Sequence, residues 1–513
     1  MTAFIKKITW LSLLALASFS CHASIDQDIN QMLQPLSAAF SNFVFYKIDL
    51  FGHGIPIIVM WLAAAASFFT VYLGFINIRA FPYAVKLVRG DYANNNDPGE
   101  VSHFKALTTA ISGTVGIGNI AGVAVAIGLG GPGAAFWIFF AGFLAMSTKL
   151  VECTLGVKYR RINADGSVSG GPMYYLQAYF TRANWPKLGK GLGRFYALAL
   201  VIGCFGIGNM FQSNQAYVQV VGITGGDNSF FADKGWLFGL MLALVVGAVI
   251  IGGIRSIANV TSKIVPFMAV LYMLLCVVVI TMSSEHIPNA LAMVIEGAFT
   301  MEGASGGAVG ALIIGFQRAL FSNEAGLGSA PIAHAAVQTK DPASEGIVSL
   351  LEPFIDTLVI CSLTSLVILT TAYPAGLMGS GLQGIALSSA AFEHHLSWAP
   401  YPLAIAALLF ALSTAISWSY YGMKGWTYLF GESKRVQNVF KFIFCFFIML
   451  GCMTQLSSVL DFSDAIVFLI AVPNILALYL FAPEVKKEVN EYLARLKAKD
   501  AAVDENSVNE SAS

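Results

Sequence analysis

The sequence predicts an all-α integral membrane protein of about eleven transmembrane helices, and three observations predict it. The 513 residues are 57% hydrophobic and 11% charged, whereas a soluble domain carries roughly 25% charged residues. Apolar runs of the length that crosses a bilayer, about 20 residues, recur between residues 55 and 482. The basic residues between those runs collect on alternate loops, the asymmetry that fixes orientation in a membrane. Forty-nine glycines and 38 phenylalanines suit close helix packing and a lipid-facing surface. The formal net charge of zero argues against a nucleic-acid partner or a polybasic anchor. The cysteines other than Cys21 sit in apolar runs without paired Cys/His spacing, so neither disulfides nor a transition-metal site is expected.

Element by element, the chain opens with a secretory pattern. Lys6 and Lys7 form a positive n-region, Ile8 to Ser20 an apolar h-region and Cys21-His22-Ala23 a small-x-small cleavage site. Residues 1–23 therefore read as a signal peptide, with an uncleaved short anchor as the alternative. Residues 24–54 follow as an extracytoplasmic segment. The spans fall near 55–78, 105–129, 134–157, 195–222, 236–253, 264–282, 308–336, 347–372, 400–429, 437–457 and 463–482. Residues 285–305 are too polar to span and read as an amphipathic interfacial segment. Residues 484–513 are charged and Ser/Asn-rich, and are expected to form a short helix and a disordered tail. Arg79, Lys86 and Arg89, then Lys158, Arg160 and Arg161, then Arg255 and Lys263 mark the cytoplasmic loops. That puts the N-terminus in the periplasm and the C-terminus in the cytoplasm of a bacterial inner membrane.

Two spans are interrupted. In ALTTAISGTVGIGNIAGVAVAIGLGG, Gly113, Gly116, Gly118 and Gly122 crowd the middle. In ALIIGFQRALFSNEAGLGSAPIAHAAV, Ser322 to Gly328 breaks the apolar run, and Pro331 follows. These are the first and sixth of the last ten spans, which suggests two inverted five-helix halves, about 105–282 and 308–482, behind one extra N-terminal helix. Unwound backbone is tolerated in hydrocarbon only where it lines a site or is buried in protein. Half-helix N-termini offer N–H groups to a carboxylate, and half-helix C-termini offer carbonyls to a cation. Close packing alone is the simpler alternative for either glycine cluster.

Further polar residues sit inside spans. Asn209, Gln212, Asn214 and Gln215 either bond neighbouring helices or, for Gln212 above all, reach a substrate. Phe410, Ser413 and Thr414 share one helical face by i, i+3, i+4 spacing, with oxygens that suit a hard cation; hydroxyls bonded back to their own helix are the alternative. Trp418 stands one turn further on. The intramembrane charges are Lys149, Glu152, Arg318, Glu324 and Asp356, each a functional candidate. Arg318 and Glu324 flank the second break as candidate salt-bridged gates, Lys149 and Glu152 are expected to pair locally, and His334 reads as a lone residue near a helix end.

On these residues the chain resembles the alanine/glycine:cation symporter family. GGPGAAFWIFFAG (Gly130 to Gly142) and RALFSNEAGLGSAP (Arg318 to Pro331) carry the resemblance, with weaker support from GNMFQSN and TAISWSYYG. It covers residues 50 to 483. Departures are Ile138-Phe139, where the family usually has Met-Trp, Ala319 where Gly is frequent, and Leu327 where Met is frequent. They bear on pocket size and so on which amino acid is preferred. The resemblance implies a LeuT-type fold with two inverted five-helix repeats, and cotransport driven by sodium or, in some members, protons. It implies that Thr114 and Gly118 hold the substrate carboxylate and that Asn119 supports the turn. Gln212, Leu327 and Trp418 would line the side-chain pocket, and Phe321 and Ser322 would offer backbone oxygens to the ammonium. Sodium would sit between carbonyls of Ser112 and Val115 and oxygens of Phe410, Ser413 and Thr414. The expected activity is sodium-coupled import of alanine or glycine, the alternative a proton-coupled carrier of the same fold for another small amino acid. The expected partners are the amino acid, sodium and the lipid bilayer. A monomer is expected, with no cofactor beyond the coupling ion. A channel and an intramembrane enzyme are disfavoured, the latter because no span holds HExxH, Gly-x-Ser-x-Gly or a clustered carboxylate pair.

Overall fold

The computed structural model describes residues 34–35, 37–50, 53–94, 96–300, 307–382, 384–453 and 457–511. The signal segment 1–23 lies outside them. Numbering the helices that build the bundle, α1 is Ile57–Tyr72, α2 His103–Thr114, α3 Ala121–Gly130, α4 Gly133–Lys158, α5 Pro186–Phe205, α6 Gln212–Ile223, α7 Gly235–Ile250 and α8 Gly253–Met282. The series continues with α9 Ile287–Phe299, α10 Gly307–Asn323, α11 Ala330–His334, α12 Pro342–Val348, α13 Pro400–Phe430, α14 Lys434–Met453 and α15 Ser457–Ser511. Two small antiparallel hairpins interrupt the helices, one pairing Lys47–Leu50 with His53–Pro56 and the other Arg161–Ile162 with Val168–Ser169.

Among the described residues, seven helices are long and apolar enough to cross a membrane, and α2 with the turn and helix after it makes an eighth span bent by 60°. The helices α1 and α7 are apolar but shorter. Their apolar residues point outward as well as inward: Val71 of α1 and Leu244 of α7 are exposed while Leu62 and Leu242 are buried.

The helix α4 is the centre of the bundle. From Leu144 to Val157 its side chains are buried on every face, so it carries no amphipathic stripe. Glycines set how near its neighbours come. A Cβ on Gly133 would lie 2.2 Å from the Gly297 carbonyl of α9, and one on Gly156 would lie 2.6 Å from Pro331 of α11. A Cβ on Gly315 of α10 would lie 2.5 Å from Trp137. Side-chain-free contacts of this kind let helices pack by dispersion where no hydrophobic drive operates.

Two segments depart from their sequence reading or refine it. Within 285–305, residues 287–299 form α9, whose buried Ala290 and Ala298 mark a single inner stripe, the pattern of an amphipathic helix. The segment 484–513 was expected to be a short helix with a disordered tail, but α15 continues to Ser511. Ion pairs dock it: Lys158 to Glu484 at 3.2 Å, Arg495 to Asp341 at 2.7 Å and Lys86 to Asp500 at 2.6 Å. Part of its charge thus docks it onto the loops, while Lys487 and Glu491 stay exposed.

The close approach of α4 and α9 is testable. Gly133→Ala forces the two backbones apart, so the thermal unfolding midpoint in detergent should fall, with a stability loss of about 1–3 kcal/mol. An unchanged midpoint would contradict the contact.

Candidate substrate and cation site

The first break begins where α2 ends. Val115 leaves helical geometry at φ −73°, ψ 93°, and Gly116 is extended. Gly116 N–H then donates to Asn119 Oδ1 at 2.9 Å, and Asn119 N–H returns to the Gly116 carbonyl at 3.1 Å. An intact helix would send those two amides to the carbonyls of residues 112 and 115. The carbonyls of Ser112 and Val115 are therefore freed, and Gly118 N–H meets no acceptor among the described residues.

The second break is built from turns that glycine permits. Helix α10 ends at Asn323, and the chain passes through positive φ at Glu324 (56°), Gly326 (91°) and Gly328 (82°). Left-handed geometry is natural for glycine but strained for Glu324. Ala325 N–H donates to Asn323 Oδ1 at 3.0 Å instead of to the Phe321 carbonyl. The Ser322 carbonyl likewise lacks its helical partner, so two carbonyls are released at this end of α10.

Two side chains tie the breaks together. Trp418 of α13, fully buried, donates its indole N–H to the Gly113 carbonyl at 3.2 Å and to Glu324 Oε1 at 3.1 Å. A Cβ on Gly208 would lie 2.2 Å from the indole ring, so only glycine lets α13 come this close. Asp356 stands in a π-helical stretch, Phe354–Cys361, a widened geometry common at functional sites. Its Oδ1 accepts from Asn119 Nδ2 at 2.6 Å, and its Oδ2 accepts from Ser322 Oγ at 3.0 Å and Thr357 Oγ1 at 2.7 Å. A Cβ on Gly118 would come within 3.6 Å of the Phe321 ring, so the two breaks face each other.

Helix α13 also runs along α2 as a row of hydrogen bonds. Ser417 Oγ donates to the Thr109 carbonyl at 2.8 Å, and Ser112 Oγ donates to the Ser413 carbonyl at 2.7 Å. Ser413 Oγ returns to the Phe410 carbonyl at 3.0 Å. Thr414 Oγ1 is different: it is buried and has no partner, and it lies 2.8 Å from where a Gly116 Cβ would be. An orphan hydroxyl beside the freed carbonyls of Ser112 and Val115 forms an all-oxygen cradle, the donor chemistry of a hard cation.

The remaining predicted residues divide. Gln212 reaches the break, its Oε1 accepting from Ile117 N–H at 3.5 Å, while Asn209 and Asn214 bond the Phe444 and Gly451 carbonyls at 2.8 and 3.1 Å. Thr114 Oγ1 makes long bonds to its own helix, at 3.4 and 3.3 Å to the Ala110 and Ile111 carbonyls. Leu327 is buried, and its carbonyl accepts from Tyr196 Oη at 2.9 Å. Phe139 is 46% exposed, so its departure from the family pattern faces outward and leaves the site untouched, whereas Ile138 and Ala319 are buried.

Three sequence readings are corrected. Arg318 and Glu324 form no ion pair among the described residues; Glu324 instead accepts from Trp418 and Ser329. Lys149 and Glu152 do not pair locally either. Lys149 Nζ binds Glu352 Oε1 at 2.9 Å, and Glu152 Oε1 accepts from Asn474 Nδ2 at 2.6 Å. One helical turn brings their backbones near, but long side chains in a crowded bundle reach partners on other helices. His334 is not alone, since its Nδ1 lies 2.5 Å from Glu345 Oε1. Glu345 and Glu352, seven residues apart and so on one helical face, are the signal that could have exposed this cluster.

Comparison with known proteins fits this architecture. The sequence profile of the Sodium:alanine symporter family matches residues 38–506. The sodium/alanine symporter AgcS of Methanococcus maripaludis is 37% identical over 449 residues, covering 87% of this chain and 96% of its own. The probable sodium/glutamine symporter GlnT of Bacillus subtilis is 33% identical, covering 86% and 89%. The putative sodium/proton-dependent alanine carrier protein YrbD of the same organism is 31% identical, covering 85% and 89%. Among solved structures, MhsT in complex with L-phenylalanine aligns with 76% of this chain and 92% of its own, at TM-score 0.55 and 16% identity. At that identity the likeness establishes the fold alone, which is of LeuT type. The chain, a multi-pass membrane transporter that carries an amino acid with a cation, belongs to the sodium:alanine symporter family.

Proposed function

We propose that this chain imports a small neutral amino acid, alanine or glycine, together with sodium across a bacterial inner membrane by alternating access. The observation that carries the reading is the set of backbone groups released at the two facing breaks. Gly118 N–H and the Phe321 and Ser322 carbonyls suit the two ends of a zwitterion, whose carboxylate needs donors and whose ammonium needs acceptors. Thr114 would add a hydroxyl to the carboxylate. Gln212, Leu327 and Trp418 would bound the side chain, and Asn119 holds the turn.

Sodium enters as cosubstrate, and no other cofactor is required. The freed carbonyls of Ser112 and Val115, the Phe410 carbonyl and the hydroxyls of Ser413 and Thr414 would surround it. Bound there, it would draw α2 and α13 together, and the substrate donors Thr114 and Gly118 lie on either side of Val115 in the same stretch of chain. Loss of sodium would loosen α2 and with it the amino-acid site. Each charge moved down the membrane potential supplies about 2.3 kcal/mol per 100 mV, enough for substantial accumulation. Arg318, half-buried near the second break, is left as a candidate gating charge.

The bundle is read as eleven spans in two inverted five-helix halves behind α1. Counting α1, α7 and the interrupted α10–α11 as spans alongside the long helices supports that number. The basic loops then face the cytoplasm, the N-terminus the periplasm, and one chain suffices as the transport unit.

Proteoliposomes holding the purified chain should accumulate radiolabelled alanine only under an inward sodium gradient, and unlabelled glycine should compete. Uptake indifferent to replacement of sodium by choline would contradict sodium coupling. Thr414→Ala should raise the sodium concentration for half-maximal uptake by about tenfold, the effect of losing roughly 1.4 kcal/mol of ligation, and normal sodium dependence would remove Thr414 from the cation site. Trp418→Phe keeps an aromatic ring, though a smaller one, and deletes the N–H shared by the two breaks. It should lower the thermal midpoint, with a cost of about 1–3 kcal/mol from the unpaired acceptors, and an unshifted midpoint would speak against the clamp.

A further inference from the structure

A second buried polar cluster leads from the basic-loop end of the bundle towards the breaks. His103, the first residue of α2, bonds Glu345 Oε2 of α12 through its Nδ1. Glu345 Oε1 lies 2.5 Å from His334 Nδ1 of α11. His334 Nε2 then faces Glu352 Oε2 at 3.6 Å, and Glu352 Oε1 takes Lys149 Nζ of α4 at 2.9 Å. The side chains of His334, Glu345, Glu352 and Lys149 are fully buried, and that of His103 is 9% exposed. Other charged groups face the cluster from every side. Arg160, held by the Pro98, Ala335, Val337 and Thr339 carbonyls, and Tyr492 of α15 lie near Glu345. Glu152, Glu324, Cys153 and Asp356 lie near Lys149 or Glu352. Carboxylates outnumber the fixed cations here.

The gap at its centre has a specific chemistry. His334 Nε2 and Glu352 Oε2 are both buried and both without a hydrogen-bond partner. With His334 Nδ1–H donating to Glu345, a neutral imidazole presents only a lone pair at Nε2. Two acceptors then oppose each other, and what both lack is one proton. A proton on Nε2 makes the imidazolium a donor to Glu352 and offsets a buried negative charge.

We propose that His334 Nε2 and Glu352 Oε2 form a proton-binding site whose occupancy latches α11 to residues 351–353, just after α12. The proposal rests on the transport reading above. On loading, a hydronium ion reaching the site gives its proton to the Nε2 lone pair and leaves as water, so one O–H bond breaks as the N–H bond forms; unloading reverses the transfer. The loaded site adds attraction between α11 and residues 351–353, beside the His103–Glu345 contact that holds the start of α2, so it holds this end closed, and raising the pH releases it. Acid on the basic-loop side therefore slows substrate release.

The test uses the full chain in proteoliposomes with equal sodium on both sides, and measures exchange of radiolabelled alanine from about pH 6 to about pH 8, the range in which an imidazole switches. Wild-type exchange should slow on acidification, by up to about tenfold per pH unit for one linked proton. In His334→Gln the side-chain amide donates at every pH, so the profile should flatten. His286, His394 and His395, which interact with one another, remain in that variant as an internal control. A flat wild-type profile, or a His334→Gln profile like that of wild type, overturns the proposal. If the variant does not fold, amide hydrogen exchange of residues 330–336 and 351–353 in wild type, corrected for intrinsic rate, decides. Greater protection near pH 6 supports the latch and equal protection overturns it. If wild type exchanges no alanine, the transport reading has failed, and the amide exchange still judges the proton site.

Discussion

The indole N–H of Trp418 is where the two halves of the machinery meet. It lies at hydrogen-bonding distance from the Gly113 carbonyl, just before the first break, and from Glu324, inside the second. A membrane interior does not tolerate unsatisfied backbone, so neither interruption is stable alone. Each is tolerated because the other lies against it and because Trp418 and Asp356 satisfy groups on both. Gly208 is the sequence cost of that arrangement, since any side chain there would occupy the space of the indole ring.

The site follows from this constraint rather than from a collection of reactive side chains. Asn119 captures Gly116 N–H and Asn323 captures Ala325 N–H. Each capture frees a carbonyl one turn back, so two asparagines release the helix backbone groups that the proposed function uses as ligands. The amides and carbonyls so released carry partial charges only, which suits a zwitterion and a monovalent ion that must both bind and leave.

Much of this was legible in the sequence, because glycine crowding at Gly116–Gly118 and the polar run Ser322–Gly328 are local signals. The i, i+3, i+4 face of Phe410, Ser413 and Thr414 was legible for the same reason. What was not legible is long-range. Asp356 looked like one more intramembrane charge, and nothing near it in sequence says that it joins Asn119 to Ser322. Lys149 was assigned to Glu152 by proximity along the helix, but it binds Glu352, more than 200 residues away. His334 looked solitary for the same reason. The charged C-terminal segment reads as solvated, and only the folded basic loops reveal its partners. Pattern reports helix faces and interruptions, while partner choice among buried charges depends on how the helices cross.

The proton cluster and the breaks share elements, since α2 begins at His103 and ends at the cation cradle, and α11 leads out of the second break to His334. Whatever loosens α2 at one end is therefore felt at the other. The most direct measurement is reciprocal binding on the purified chain, with radiolabelled sodium in the presence and absence of alanine, and radiolabelled alanine with and without sodium. If the two breaks form one coupled site, each ligand raises the affinity of the other by the same factor, of the order of 5- to 150-fold. Sodium and alanine binding that prove independent of one another would contradict it.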